Sequence, residues 1–342
     1  MSANSDAVFD TVYADTLRFF PELVSELGGD PAPLLREHGI SPAALADGTG
    51  RIGYRLIANL LEDAAAAVDR PDFGLLLATR QGGGSVFGPM GVAMRNSNTL
   101  GDALEYARRH SHAHSLAARI RFDRDDDEHS VFVAHDILLD RLPNKSQAIE
   151  QFLLLAHLNA VEITGGKARV RMVRFRHCRL SAPSVYRSYF GCSAYFDQQC
   201  DGVVFAERDL RARTTDSSAA AYRAVTALID ADFAEATQPM RAQARGVILQ
   251  FIGTSECTND RTAAELHLHP RTLHRRLSAE GTTFHRIKDE VRRNLALYYL
   301  EHTDLDLTRI AERLGYSEHS VLTRSCVRWF GEAPSRLRGS AS

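Results

Sequence analysis

Two segments in the last third of the sequence resemble each other closely enough to restrict what this chain can fold into: RTAAELHLHPRTLHRRL, starting at Arg261, and TRIAERLGYSEHSVLTRSC, starting at Thr308. Each sets a small residue (Ala263, Ala311) before a leucine (Leu266, Leu314). A short turn follows, then Leu-x-Arg on a second run (Leu273 and Arg275; Leu322 and Arg324). The copies lie 48 residues apart at the first run and 49 at the second, so the second turn is one residue longer. This pattern predicts a pair of helices meeting at a sharp turn, written twice. The alanine lets the helices approach, the leucines bury one face of the second helix, and the turn needs a residue that accepts positive φ. Gly315 meets that need directly; His267 holds the place in the first copy, and histidine tolerates that region better than most side chains.

The outward faces carry the chemistry. With Leu273 and Leu277 inward, the first copy presents Pro270, Arg271, His274 and Arg275, with Arg276 on the flank. The second copy presents His319, Ser320, Thr323 and Arg324, with Arg328 placed to meet a nucleic-acid backbone. A helix of this kind fits a DNA major groove, where arginine donates two hydrogen bonds to guanine O6 and N7. The competing reading is a solvated face of a helical bundle, in which the helical part only mediates protein contacts. Two copies joined by one amphipathic helix, TFHRIKDEVRRNLALYYL with Phe284, Ile287, Val291 and Leu295 inward, favour DNA, because both reading helices can then address one face of a duplex.

Bulk properties agree with a globular protein of modest charge. At 342 residues the chain exceeds one ordinary core and divides into at least two domains. The region 254–342 carries 14 Lys and Arg against 12 Asp and Glu, a net +2, within a chain of net −2. Only Lys145, Lys167 and Lys288 among its 41 basic residues are lysines, a bias toward the side chain best shaped for phosphate and guanine. No apolar run reaches membrane-spanning length and MSANSDAVFD does not read as a signal peptide, so the cytoplasm is the expected location. Five scattered cysteines without a CxxC pair predict reduced thiols rather than a disulfide framework or zinc site.

Residues 1–215 read as an α+β domain. Helical periodicity in LRFFPELVSELGGDPAPLLREHGI, RIGYRLIANLLEDAAAAVDR and TLGDALEYARRH gives way to ARIRF, an acidic tip DRDDDEH, and SVFVAH, a predicted hairpin. A helix around QAIEQFLLLAHLNAVEI and strands in ARVRMVRFRHC and DGVVF complete it. The apolar phase of the first of these strands slips between Met172 and Val173, which predicts a bulge. Residues 216–238 read as a connecting helix and 239–342 as an all-helical domain.

Several features invite other chemistry. HSHAH sets His110, His112 and His114 two residues apart where a helix is expected to hand over to a strand. No Cys or carboxylate adjoins them, so they read as lining a pocket or sitting at a polar surface rather than as a metal site, and would touch a bound effector if its pocket lies near. QGGGSVFGPMG lacks the Lys-Ser/Thr of a phosphate loop, and DRDDDE lacks the Gly and terminal Glu of a calcium loop. The five arginines of RVRMVRFRHCR read as an exposed strand face. No GxSxG, HExxH or SxxK motif is present, so no catalytic residue is assigned, and no cofactor or metal is expected. Cys326 is expected inward on the last reading helix, where burial makes a thiol inert.

From about Pro239 to Arg338 the sequence resembles the AraC/XylS family of bacterial transcription regulators. The matching stretches are AAELHLHPRTLHRRLSAEGTTF, VRRNLALYYL and IAERLGYSEHSVLTRSCVRWFGEAPSRLR, ending on the Gly331, Pro334, Arg338 pattern. It departs where Leu322 and Cys326 replace a common Phe, Val327 a common basic residue and Leu337 a common Tyr. From about Leu17 to Arg211, the stretches ELVSELGGDPAPLLREHGI, PDFGLLLA, GPMGVAMRNSNTLGDALEYARRH and YFGCSAYFDQQCDGVVF are similar to the effector domain of the VirS/OruR type, an arabinose-binding-type domain. The resemblance implies promoter DNA, a small-molecule effector, a homodimer and RNA polymerase as partners. It implies activation of transcription, although the residues are equally compatible with repression.

Overall fold

The computed structural model describes residues 10–46, 50–115, 117–124, 129–137, 139, 142, 144–234, 239–266, 268–303 and 305–339. The chain falls into two compact units, the first made of Met1–Ile137 with Leu142–Ile229, the second built on Asp230–Ser342.

The first unit opens with helices: α1 (Phe20–Glu26), α2 (Pro31–Glu37), α3 (Pro42–Ala46), α4 (Tyr54–Ala67), α5 (Phe73–Gln81), α6 (Pro89–Arg95) and α7 (Leu100–His114). Strands β1 (Thr11–Tyr13) and β2 (Arg51–Gly53) pair antiparallel beside them. Local chemistry sets the helix starts: the Asp30 carboxylate accepts from the Ala32 amide at α2, and the Thr99 hydroxyl oxygen accepts from the Asp102 amide at α7. The expected hairpin is present as β3 (Ala118–Arg124) and β4 (Ser130–Ile137); the tip of DRDDDE, residues 125–128, lies outside the described residues. α8 (Ser146–Ile163) follows, then β5 (Met172–Arg174), α9 (Pro183–Phe190), β6 (Ser193–Tyr195), β7 (Gly202–Ala206), α10 (Glu207–Leu210) and α11 (Ala219–Ala234).

The sheet runs β3-β4-β7-β5-β6, antiparallel except for the parallel pair β5 and β6. Its register forms two rows. Val133, Val203 and Val173 pair across three strands, and Phe132, Val204 and Met172 form the neighbouring row. Alternation puts His135 on the same side as Val133, and there its ring stacks on Phe152 of α8 at 3.6 Å.

The stretch expected as a long strand from residue 168 keeps only three residues in the ladder. Pairing stops there because β7 starts at Gly202, and the Asp201 carboxylate instead accepts from the Arg176 amide at 2.8 Å. The phase slip exists but sits earlier, between the buried Val170 and Val173. Met172 pairs with Val204 while the Arg171 amide donates to the same Val204 carbonyl (2.8 Å), so two residues oppose one. The expected arginine-rich face is not simply solvated: Arg171 binds Asp209 at 2.8 Å, and Arg174 lies over the Phe132 ring.

The second unit is helical throughout its described residues: α12 (Met240–Phe251), α13 (Asn259–Glu265), α14 (Pro270–Ala279), α15 (Phe284–His302), α16 (Leu307–Arg313), α17 (His319–Phe330) and α18 (Pro334–Gly339). Its core joins Val247 and Ile248 of α12, Ala263, Leu273, Leu277, the inward row Ile287, Val291 and Leu295 of α15, and Ile310, Ala311, Leu314 and Leu322. Both predicted copies thus feed one core, with α15 between them. Among the described residues, no helix is long and apolar enough to cross a membrane.

Candidate nucleic-acid interface

Each copy is a short helix, a turn and a longer second helix. α13 starts on Thr258, whose hydroxyl oxygen accepts from the Arg261 amide (3.1 Å), and α16 on Asp306, whose carboxylate accepts from the Arg309 amide (2.8 Å). In the second copy the turn passes through Gly315 at φ 69, where a side chain would be strained and a Cβ would lie 3.3 Å from Gly253. In the first copy His267, which was expected in that place, lies outside the described residues. α14 starts with Pro270 in its first turn and with the His269 ring nitrogen accepting from the Arg271 amide at 3.2 Å.

Leu273 and Leu277 are buried, as are Leu322 and Cys326, so the inward faces are those expected. Burial pushes the Cys326 thiol up to about 11, which keeps it protonated and unreactive. On α14, Arg271, His274, Arg275 and Arg276 are exposed and Pro270 is half-buried. On α17, His319, Arg324 and Arg328 are exposed, with Ser320 and Thr323 half-buried. The side chains of Arg271, His274, Arg275, Arg276 and Arg324 have no hydrogen-bond or ion-pair partner among the described residues. Three of the expected residues are engaged locally. Arg328 binds Asp289 of α15 at 2.6 Å, the Ser320 hydroxyl donates to Glu318, and the Thr323 hydroxyl donates to the His319 carbonyl.

Four supporting residues escaped the sequence reading. Arg292 on α15 donates to the Leu314 and Gly315 carbonyls, both at 2.8 Å, and its guanidinium lies 4.2 Å from the Tyr316 ring centre. It thereby satisfies the open carbonyl end of α16 and pins the second turn. One turn earlier, the Lys288 ammonium donates to the Cys257 carbonyl (2.7 Å), just before α13. Asp289 also accepts from the Trp329 indole (2.9 Å), and Glu280 accepts from the Met240 and Arg241 amides that open α12. The signal was present in the spacing of Lys288 and Arg292, four apart beside the inward row of α15.

In the first unit the three histidines do not form one group. α7 continues through His114, so the expected change to a strand comes after them. His110 stacks on Tyr106 (4.0 Å) and lines a groove of about 400 Å³ with Asp102, Glu105, Arg109 and Tyr222. His114 is buried and lines a different, much smaller chamber. The His112 side chain lies outside the described residues.

Comparison with known proteins decides the family. The arabinose-binding domain of AraC transcription regulators (N-terminal) matches residues 28–214, and a helix-turn-helix domain matches residues 262–340. The chain belongs to the AraC family of transcription regulators. It is 33% identical over 328 residues to the transcriptional regulator VirS of Mycobacterium tuberculosis, covering 96% of each chain. It is 26% identical over 328 residues to the ornithine utilization regulator of Pseudomonas aeruginosa, covering 95% of each. The crystal structure of transcriptional regulator CdpR from Pseudomonas aeruginosa aligns over 90% of this chain and 96% of that one, at 23% identity and a TM-score of 0.44. As an AraC family member the protein is a DNA-binding transcription regulator controlled by a small-molecule effector.

Proposed function

We propose that α14 and α17 are the two reading helices, with Arg271, His274 and Arg275 on the first and His319, Ser320, Thr323 and Arg324 on the second contacting base edges. Pro270 starts the first helix so that its N-terminal face meets the groove. Arg276 and Arg328 lie on the flanks and hold phosphates. The observation that carries this reading is the clustering of Arg271, His274, Arg275 and Arg276 on the one exposed face of α14, opposite the buried Leu273 and Leu277, with no carboxylate partner among the described residues.

The finer assignments follow the family. Residues 1–215 receive the effector and pair two chains, 216–238 connect, and 239–342 read DNA. The regulator works in the cytoplasm as an activator that contacts RNA polymerase, and it catalyses no reaction. Effector binding acts by favouring one of two conformations, because only a difference in affinity between states can shift their balance.

Gel retardation with the DNA upstream of the protein's own coding region tests the reading. Arg275→Ala should cost about 1 to 3 kcal/mol of specific affinity, roughly 5- to 150-fold, while leaving the melting temperature unchanged. Unaltered retardation by this variant and by Arg271→Ala would return α14 to the role of a solvated bundle face.

A further inference from the structure

Inside the first unit, polar atoms are buried without partners, and they converge. His114 Nδ1, both ring nitrogens of His135 and the Thr16 hydroxyl have no hydrogen-bond partner among the described residues, and all three residues line one chamber. His135 is 3% exposed and His114 7%. Leaving a buried polar group unmatched costs on the order of 1 to 3 kcal/mol. Several such groups facing one space mark a place kept for a hydrogen-bonding guest rather than a packing fault.

The remaining walls are mostly apolar, with Tyr54, Ser115 and Gln151 adding polar groups. Phe87 and Phe152 supply aromatic surfaces, Phe152 stacked on His135 and Phe87 edge-on to His114 at 5.4 Å. Among the described residues, no carboxylate, lysine or arginine lines the chamber. Burial pushes both imidazoles down to about 3, so they are neutral at physiological pH, each with one nitrogen donating and one accepting. Asp136, the neighbour of His135, is turned to the other face of the sheet and bound by Arg119 and Arg121.

We propose that this chamber, between β4, α7, α8 and the glycine-rich turn, is the effector site, and that it takes a small uncharged aromatic molecule bearing a hydroxyl group, of the phenol or benzyl alcohol class. A hydroxyl both donates and accepts, which matches two neutral imidazoles and a threonine, and an aromatic ring matches the flat walls. The inference rests on the reading that the first unit receives a small molecule.

The glycine-rich stretch acquires a purpose here. Its four-residue turn Gly84–Phe87 carries Val86 and Phe87 into the chamber wall, and lies between Gly83 at φ 135 and Gly88 at φ 57. The chamber holds about 30 Å³, the room of roughly one water molecule. Entry of an aromatic ring therefore requires the Phe87 side chain to turn aside, at the end of a short turn whose flanking Gly83 and Gly88 hold backbone that only glycine adopts comfortably.

The test is isothermal titration of the full chain with phenol, with benzoate as a charged ligand of similar size, alongside melting curves and DNA retardation. Phenol should bind saturably at one site per chain, at least tenfold tighter than benzoate. At ten times its dissociation constant it should raise Tm by about 3 to 5 °C. His135→Phe, which exchanges an unmatched imidazole for an apolar ring, should keep or raise Tm yet weaken phenol at least tenfold; Thr16→Val should weaken it roughly fivefold or more without loss of Tm. Absence of phenol binding by the unaltered chain, or undiminished binding in both variants, overturns the proposal. A chain that retards its DNA but ignores phenol loses this inference alone. One that binds phenol but retards no DNA keeps the chamber and loses the reading helices.

Discussion

In the sheet of the first unit, Arg119 and Arg121 close on the buried Asp136 at 2.9 and 3.2 Å, and Arg171 on Asp209 at 2.8 Å. On α14 and α17 of the second unit, Arg271, Arg275, Arg276 and Arg324 point to solvent with no carboxylate in reach. The same residue type thus does opposite work in the two units. Burial alone would raise the Asp136 pKa, but the charges and hydrogen bonds of Arg121 and Arg119 outweigh it and hold the carboxyl well below the usual carboxylate range. These arginines are structural, their charge cancelled within the fold. The arginines of α14 remain uncancelled, and an uncancelled cation on a helix that fits a groove is available to a polyanion. Pairing alone does not mark a binding face, since Arg36, Arg179 and Arg187 of the first unit are also exposed without an ion pair among the described residues; what sets α14 apart is that its cations share one helix face.

The contrast can be broken most severely at Asp136. Asp136→Ala leaves Arg119 and Arg121 without the buried counter-charge they share, Arg121 keeping only Asp123, and should cost about 3 to 5 kcal/mol in urea unfolding of the first unit. A loss below about 1 kcal/mol would mean that water reaches the arginines and that the sheet cluster resembles α14 after all. The Arg275→Ala variant described above is its counterpart in the second unit, with a large effect on DNA and almost none on stability.

A second measurement sharpens the difference through pH. As pH falls through about 6.5, an imidazole in the unfolded chain takes up a proton, while His135 in the fold, held at about 3, does not. The unfolded state then binds more protons, so this residue removes about 1.4 kcal/mol of stability per pH unit between roughly 6.5 and 3. His135→Phe abolishes that contribution, and its advantage over the unaltered chain should widen steadily as the pH of urea titrations is lowered through the window. A constant gap would show that the imidazole takes up its proton as readily in the fold as in the unfolded chain.

The smallest effect is expected at Arg328, whose charge is partly shared with Asp289 across an exposed pair, an arrangement worth about 0 to 1 kcal/mol. Arg328→Ala should weaken all DNA sequences equally and lower the slope of log affinity against log salt by about 1. A change in base preference would move Arg328 from the phosphate-holding group to the base-reading one.

How much of this could be read from the chain alone follows from how local each feature is. The two helix pairs were legible because each is written within about twenty consecutive residues, and the period of Leu273 and Leu277 or of Leu322 and Cys326 names its own inward face. The hairpin was legible for the same reason, from strict alternation in ARIRF and the short apolar run of SVFVAH. The strand around Met172 was overestimated because its length depends on what β7 and the Asp201 carboxylate do 30 residues later. The chamber was hidden altogether, since Thr16, His114, His135 and Phe152 meet only after folding. HSHAH attracted notice for three histidines close together, yet the one that matters inside is His114, and its partner is His135. The alternation Val133, His135, Ile137 could have flagged that partner, as a lone polar residue on an apolar strand face.

The long helix α15 spans 19 residues, about 28 Å, and through Lys288 and Arg292 it is fastened to the entrance of one helix pair and the turn of the other. A strut fixed at both joints cannot lengthen to suit its template. If the two helices proposed above read one duplex, inserting one base pair between their segments turns one against the other by roughly 35°, and the single core that joins both helix pairs opposes that rotation. On that proposal, gel retardation should fall as sharply for a target with an altered interval as for one with altered letters.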